Sequence, residues 1–330
     1  MKTTAAIGID IGGTATKGGL VSRDGRVLLR VEIPTDIDAG TKTAITVAEE
    51  LLRRADDVDA EVTCIGVGAA GFVEASAGAI TFSPNLVYDD PFVAAAIKAR
   101  FGLPVVVDND ANVAVWGERS FGSAQGLDHV VLFTLGTGIG SGVIAGGKLL
   151  RGSTGAAAEL GHTVVFADGP MCTCGLRGCL EQMASGTAIA RMARQALSEG
   201  RESTILSFAG DIESVRSIHV AKAARELDEL ARSILAEAGR FLGIGLSNAV
   251  NVFDPDTIVL AGSVTRAGEP YLGAARDALS AATNAQRRRP QRLDATSLGA
   301  DVGIVGAAAL AFDEADRRPT SLGPQPESAR

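Results

Sequence analysis

Hydrophobic and polar positions follow two rhythms along this chain. An apolar run, Ala5 to Ile9, stops at Asp10-Ile11-Gly12-Gly13-Thr14, and apolar runs resume over Lys17 to Val21 and Val27 to Val31. That order of run, turn and run predicts a sheet opened by a hairpin. Thr43 to Arg54 then places Ile45, Val47, Ala48, Leu51 and Leu52 at helical spacing, while Val62 to Val67 and Val105 to Val107 read as buried strands. Strands alternating with helices put residues 1–110 in an α/β domain.

The opening device recurs. V-V-L-F-T-L-G-T-G-I-G-S-G-V-I, residues 130–144, sets a second glycine-rich turn between two apolar runs, which suggests an internal duplication. One long amphipathic helix is expected over roughly Ala221 to Val252, followed by a strand, Thr257 to Ala261, entered through Asp254-Pro255-Asp256. Gly303 to Ala315 predicts an Ala-rich helix able to pack back on the first domain, and residues 317–330, with three prolines, predict a disordered tail. The expected units are a small lobe of residues 1–110 plus about 303–316 and a large lobe of residues 111–302.

Composition narrows the function classes. The chain has 330 residues, 4% aromatic, with a formal charge of -8, which disfavours nucleic acid and anionic membrane as partners. The first apolar run is too short for a signal peptide or membrane span, so a cytoplasmic protein is expected. Arg287, Arg288 and Arg289, a lone basic run, read as a solvated loop or helix end.

Candidate chemistry sits at the punctuation. Gly12 and Gly13 allow a tight turn with exposed N–H groups, Thr14 adds a hydroxyl and Lys17 a charge, which together suit polyphosphate. Asp10, at a strand end, can hold Mg²⁺ through water. A second such turn, Leu135 to Gly142 with Gly136, Thr137 and Gly138, can clamp the same nucleotide from the other side. Neither is a Walker loop or a dinucleotide fingerprint.

Asp108-Asn109-Asp110 follows a strand, where α/β ligands bind. Asp110 is the candidate base for taking a hydroxyl proton in phosphoryl transfer, and a helix N-cap before Ala111 to Glu118 is the equal alternative for this tripeptide. Farther on, His162, Cys172, Cys174 and Cys179 supply the donors of one tetrahedral Cys₃His zinc site with no open position, hence a structural metal. Glu159 and Glu181 flank that knot and as a pair can accept from sugar hydroxyls, although each taken alone reads more commonly as a solvated surface carboxylate, and His162 can bind zinc through one nitrogen and a sugar through the other.

These residues resemble the ROK family of sugar kinases from about residue 7 to about residue 312, most closely the ATP-dependent glucokinases of actinobacterial type. The resemblance rests on D-I-G-G-T at 10–14, D-N-D-A-N at 108–112, L-G-T-G-I-G-S-G at 135–142, E-L-G-H at 159–162 and C-T-C-G-L-R-G-C-L-E at 172–181. It implies a two-lobed ribonuclease-H-like (actin/hexokinase) fold closing on sugar and Mg-ATP, and a homodimer. Carried over by position, Asp110 is the base, and Asn109, Glu159, His162 and Glu181 are sugar ligands, with weaker contacts from Gly71 and from Asn85 in S-P-N-L. Gly138 serves both substrates, Gly12, Thr14, Lys17 and Thr137 grip phosphates, and Gly262 approaches the adenosine. The chain departs from the family at Ala15, at Ala261-Gly262-Ser263 in place of a glycine run, and at Leu180 and Met183, where close glucokinases commonly carry Trp and Tyr.

The implied activity is ATP-dependent phosphorylation of glucose at its 6-hydroxyl. An N-acetylhexosamine, mannose, fructose or inositol kinase is the alternative, and a non-catalytic sugar sensor the more distant one. The repressors of the family carry a helix-turn-helix ahead of the kinase-like part, and nine residues precede Asp10.

Overall fold

The N-terminal apolar run becomes β1 (Thr3–Ile11), which pairs antiparallel with β2 (Ala15–Ser22) so that Asp10 faces Lys17 across the ladder. Strand β3 (Val27–Pro34) lies outside β2, and its alternating exposure marks it as the sheet edge. Helix α1 (Gly40–Arg53) buries Ala44, Val47, Ala48 and Leu51 and carries the chain over to β4 (Ala60–Ala69), parallel to β1. A small hairpin, β5 (Phe72–Glu74) and β6 (Ala79–Phe82), and helix α2 (Val93–Phe101) precede β7 (Val105–Asn109), which closes a sheet of order β3-β2-β1-β4-β7. This computed structural model describes residues 2–83, 86–282 and 290–317. Asn85, the basic run at 287–289 and the tail from 318 onward lie outside the described residues.

After α3 (Asp110–Phe121) the pattern repeats with β8 (Val130–Leu135), β9 (Ile139–Ala145), β10 (Lys148–Leu149), β11 (Thr257–Ala261) and β12 (Leu293–Ala295). Their order is β10-β9-β8-β11-β12, antiparallel on one side of β8 and parallel on the other, as around β1. The duplication that the two glycine turns suggest is therefore present in the topology. Between β10 and β11 stand α4 (Leu180–Ala184), α5 (Gly186–Ser198), α6 (Ile205–Ala209), α7 (Ser217–Arg225) and α8 (Glu229–Phe253), and α9 (Glu269–Ala282) follows β11.

The single helix expected over Ala221 to Val252 is in fact the end of α7 and most of α8. Leu227 adopts a left-handed backbone (φ 65) and Asp228 accepts the Ala231 N–H at 2.8 Å, so a capped new helix begins there. The last helix, α10 (Val302–Arg317), packs back on the first sheet as expected. A Cβ on Gly8 would lie 1.8 Å from the Ile304 carbonyl oxygen, and one on Gly66 would lie 1.8 Å from that of Ala307, so helix and sheet meet backbone to backbone. Val113 and Trp116 of α3 share a core with Ala307 and Leu310 of α10 and with Val130, Leu132 and Val259 of the second sheet, so these two helices fill the space between the sheets.

One carboxylate pins this joint. Glu118 on α3 is fully buried and accepts the Ser123 N–H and hydroxyl, both at 2.8 Å, the Leu298 N–H at 3.1 Å and the Thr296 hydroxyl at 2.5 Å. Burial disfavours its charge, but the donors from Thr296, Ser123 and Leu298 together hold its pKa below the ordinary value. Replacing Glu118 by Ala strands those donors and is expected to cost about 3 kcal/mol or more of unfolding free energy, checked by denaturant titration. Because the folded-state pKa is lowered, this stabilisation is full above the unfolded-state value and is lost as pH falls through the folded one. Glu118→Gln should accordingly flatten the acid side of the stability profile.

Candidate active site

The sheets present the ends of β4, β7, β8 and β11 to a cavity of about 350 Å³, bounded by Gly71, Asn109, Asp110, Gly136, Gly138, Glu159, His162, Glu181 and Gly262. At the end of β7 the two readings of Asp108-Asn109-Asp110 divide among its residues. Asn109 is the N-cap of α3: its side-chain oxygen accepts the Ala111 and Asn112 N–H groups at 2.9 and 3.2 Å, and its amide donates to the Gly71 carbonyl at 3.0 Å. Asp108 turns inward to Arg151 and Asn112. Of the three residues, only Asp110, in the first helical turn, brings a carboxylate to the cavity.

Burial raises the pKa of Asp110 against the opposing effect of the Ala111 N–H and the Asn109 side chain. Asp10 is pushed up to about 6 by burial, with the Asp110 charge adding to the rise and Lys17 opposing it. Glu159 is raised by burial too, with His162 opposing and the Asp110 and Glu181 charges adding. Carboxylates on several separate elements therefore repel one another around one space. Such a space favours a cation or a ligand rich in hydroxyl donors.

Glu159 is held on a strained turn. Ala158 has φ 65, and its carbonyl accepts both the Ser141 hydroxyl and, at 2.8 Å, the Leu160 N–H, while Leu160 N–H also reaches the Ser141 oxygen at 2.9 Å. Glu181, at the start of α4, accepts the Ile139 N–H at 3.0 Å. A Cβ on Gly138 would lie 2.3 Å from that carboxylate, which is the physical reason for a glycine there. Gly12, Gly13 and Gly136 are a different matter, because none has a left-handed backbone and a Cβ on Gly13 or Gly136 would meet open space. At Gly12 and Gly13 the chain does turn tightly, from β1 into β2 within three residues, but without a left-handed backbone. What they leave is uncovered backbone. Gly12, Gly13, Thr14 and Lys17 sit at the β1–β2 turn beside Asp10 and do not line the 350 Å³ cavity itself. On the far side of Gly136 and Thr137 a second hollow, about 220 Å³, is walled by Arg194, Arg216, Ser217 and Ser263.

His162, Cys172, Cys174 and Cys179 bring one donor atom each within 4.8 Å of one another. His162 Nδ1 lies 3.5 Å from Cys172 Sγ, and Cys174 Sγ lies 3.5 Å from Cys179 Sγ. Donors around a tetrahedral Zn²⁺, with Zn–S about 2.3 Å and Zn–N about 2.1 Å, stand roughly 3.5–3.8 Å apart. The donor set and spacing therefore fit a structural zinc ion. Gly175 and Gly178 have φ 92 and 66, and a Cβ on Gly178 would fall 1.5 Å from the Phe166 carbonyl oxygen, so the knot closes only over a glycine. Leu180 and Met183 are buried in the core of the second half, Leu180 against Gly245 of α8, and neither lines the cavity. The missing aromatics thus leave the cavity wall as it is.

Several wall residues have no sequence signature. Phe72 and Phe82, whose rings pack 5.6 Å apart, line the cavity from the β5–β6 hairpin, and Thr134 does so from β8. Arg194 and Arg216 likewise belong to helices with no motif. Ser141, inside the second glycine motif, was within reach of sequence reasoning.

The sequence pattern of the ROK family matches residues 6–314. The chain belongs to the ROK family. Glucokinase of Thermotoga maritima is 38% identical over 307 residues, covering 92% of this chain and 96% of its own. A crystal structure of a ROK glucokinase from Streptomyces griseus, in complex with glucose and AMPPNP, superposes with a TM-score of 0.82 at 37% identity, over 94% of this chain and 99% of that one. The xylose repressor of Bacillus subtilis is 27% identical over 94% of this chain, which spans 78% of the repressor. Consistent with the family fold, no helix among the described residues is long and apolar enough to cross a membrane.

Gly262 directly follows β11 with φ 95, and a Cβ there would lie 2.4 Å from the Leu135 carbonyl oxygen. Gly262→Ala should lower unfolding free energy by about 2–4 kcal/mol, whereas Gly136→Ala should stay within about 0.5 kcal/mol of wild type. Thermal or denaturant unfolding of the two variants side by side tests this contrast.

Proposed function

We propose that the protein is an ATP-dependent glucokinase, with Asp110 as the general base that receives the proton of the glucose 6-hydroxyl. The observation that carries this reading is a carboxylate directly after β7, its pKa raised by burial, facing a cavity that the second glycine turn, Glu159 and Glu181 also border. The kinship with glucokinases over nearly the whole chain supports it.

Asn109, Glu159, His162 and Glu181 would hold sugar hydroxyls, and Gly71 and Gly138 would shape the wall. Aligned by these contacts, the 6-oxygen forms its bond to the γ-phosphorus as its proton passes to an Asp110 carboxylate oxygen, and ADP leaves with the broken bond's electron pair. The uncovered N–H groups of Gly12, Gly13, Gly136 and Thr137, with the Thr14 hydroxyl and Lys17, would hold phosphate oxygens. Gly262 would border the adenosine. Mg²⁺ with ATP supplies neutralisation of the phosphate charge, and Asp10 would reach it through water from the end of β1. In this reading the small lobe (residues 1–110 and about 303–316) and the large lobe (111–302) close over both substrates and exclude water, the competing acceptor.

Asp110→Asn should nearly abolish turnover, by about 10³-fold or more, while glucose still binds by calorimetry; turnover close to wild type would refute the assignment. A raised pKa keeps Asp110 protonated farther up the pH scale, and a protonated carboxyl accepts no proton. The acid limb of kcat/KM should therefore lie above the ordinary aspartate value of about 3.9.

Zinc at the Cys₃His knot would brace Glu159 and Glu181 from behind, with His162 Nδ1 toward the metal and its other nitrogen toward the sugar. Metal analysis should find about one zinc per chain, and Cys174→Ser should lose both metal and glucose affinity. Unchanged affinity without zinc would show that the knot does not position the two glutamates.

A further inference from the structure

The fully buried Asp108 has no role in the chemistry proposed above, yet it touches the turn that performs it. Its side chain is 2% exposed. One oxygen, Oδ1, accepts the Asn109 N–H and the Asn112 side-chain amide, both at 2.8 Å. The other, Oδ2, accepts Arg151 Nε at 2.7 Å. Asp108 is the penultimate residue of β7 in the first sheet, whereas Arg151 follows β10 at the edge of the second. A single carboxylate thus links the two halves of the molecule directly behind Asn109 and Asp110.

The consequences follow from the cost of an isolated buried charge, which must be paired and hydrogen-bonded to stay ionised in place. Arg151 is the cation that pairs it, and the planar guanidinium fixes direction as well as charge. The direction of Oδ2 sets that of Oδ1, and Oδ1 sets the Asn109 N–H and the Asn112 amide on the first turn of α3. Asn109 is the first of those two anchors, and Asp110 lies between them.

We infer that Arg151 is a positioning residue for phosphoryl transfer: acting through Asp108, it holds the Asn109–Asp110 turn in register with the half of the molecule that carries the second glycine turn. This rests on the reading of Asp110 as the proton acceptor. Arg151 also lines a hollow of about 450 Å³ behind β7, shared with Lys98, so its place can be reached from solvent by a small cation.

The test uses the full-length protein with saturating ATP and a glucose titration. Arg151→Ala should lose about 100-fold in turnover, and guanidinium chloride, but not sodium chloride at the same concentration, should restore a large part of it. A side chain that only stabilised the fold would lower the unfolding midpoint and leave turnover at a lower temperature intact. Asp108→Asn should lose turnover as well, and the double variant should be no worse than the poorer single one, because both changes cut the same link. Should Arg151→Ala fail to fold, Arg151→Lys keeps the charge without the planar fork and should lose roughly tenfold. Wild-type turnover in Arg151→Ala or Arg151→Lys, absence of rescue in a folded Arg151→Ala, or losses that multiply in the double variant would overturn the inference. Failure of the underlying reading shows elsewhere, as an active Asp110→Asn, so the two failures are distinguishable.

Discussion

Helices α3 and α10 lie between the two sheets at separations that a side chain would forbid. Gly8 and Gly66 of the first sheet receive the α10 backbone, and Gly117 and Gly306 let α3 and α10 touch each other. Gly142 does for the second sheet what Gly8 does for the first, since a Cβ there would lie 2.4 Å from the Ala111 carbonyl oxygen. Interiors are close-packed and deform little, so these contacts fix how far apart the two sheets stand. That spacing in turn decides whether strand ends from both sheets border one cavity or two. Asp110 reaches the space beside Gly136 and Gly138 because α3, whose first residue it is, is held against both sheets.

Close approach has an electrostatic consequence. The charge of Asp110 is felt by Asp10 in the first half and by Glu159 in the second, and Glu159 also feels the charge of Glu181. Repulsion of this kind destabilises the ligand-free protein as pH rises, because carboxylates with raised folded-state pKa values favour the folded form only while protonated. In the reading of Asp110 as a base, it is burial that raises its own proton affinity, while its charge adds to the repulsion felt by Asp10 and Glu159. A cation or a polyhydroxyl ligand would relieve it.

Much of this was legible in the sequence, and the limits of legibility are physical. Hydrophobic runs bounded by glycine turns report local structure, so β1, β2, β8, β9 and β11 and the duplication they form were readable. The break at Leu227 and Asp228 was not, because apolar spacing continues across it and only the cap interrupts the backbone. For Asp108-Asn109-Asp110 the residue types allowed both a cap and a base, and the distinction lies in side-chain direction, which spacing does not encode. Leu180 and Met183 looked like changes at the sugar site because they neighbour Glu181 in sequence, yet on a helix adjacent residues point to different sides. Arg151 and the aromatic pair Phe72 and Phe82 join the site through the fold alone, from segments without a motif.

The Cys₃His cluster shows why a motif can be more legible than its surroundings. Three thiols and an imidazole must meet at fixed distances, so their identity and spacing survive in the sequence as a pattern. The glutamates beside them, Glu159 in E-L-G-H and Glu181 at the end of the cysteine motif, take their positions from neighbours such as Ser141 and the Ile139 N–H. Backbone hydrogen bonds run through the knot itself, from Leu180 N–H to the Thr163 carbonyl and from Val165 N–H to the Gly178 carbonyl, both at 2.9 Å. These tie the segment after His162 to the segment before Glu181. A donor set that can close around a metal therefore also closes the loop between two carboxylates that would otherwise repel each other, and the cohesion of the knot offsets that repulsion without placing a countercharge in the cavity.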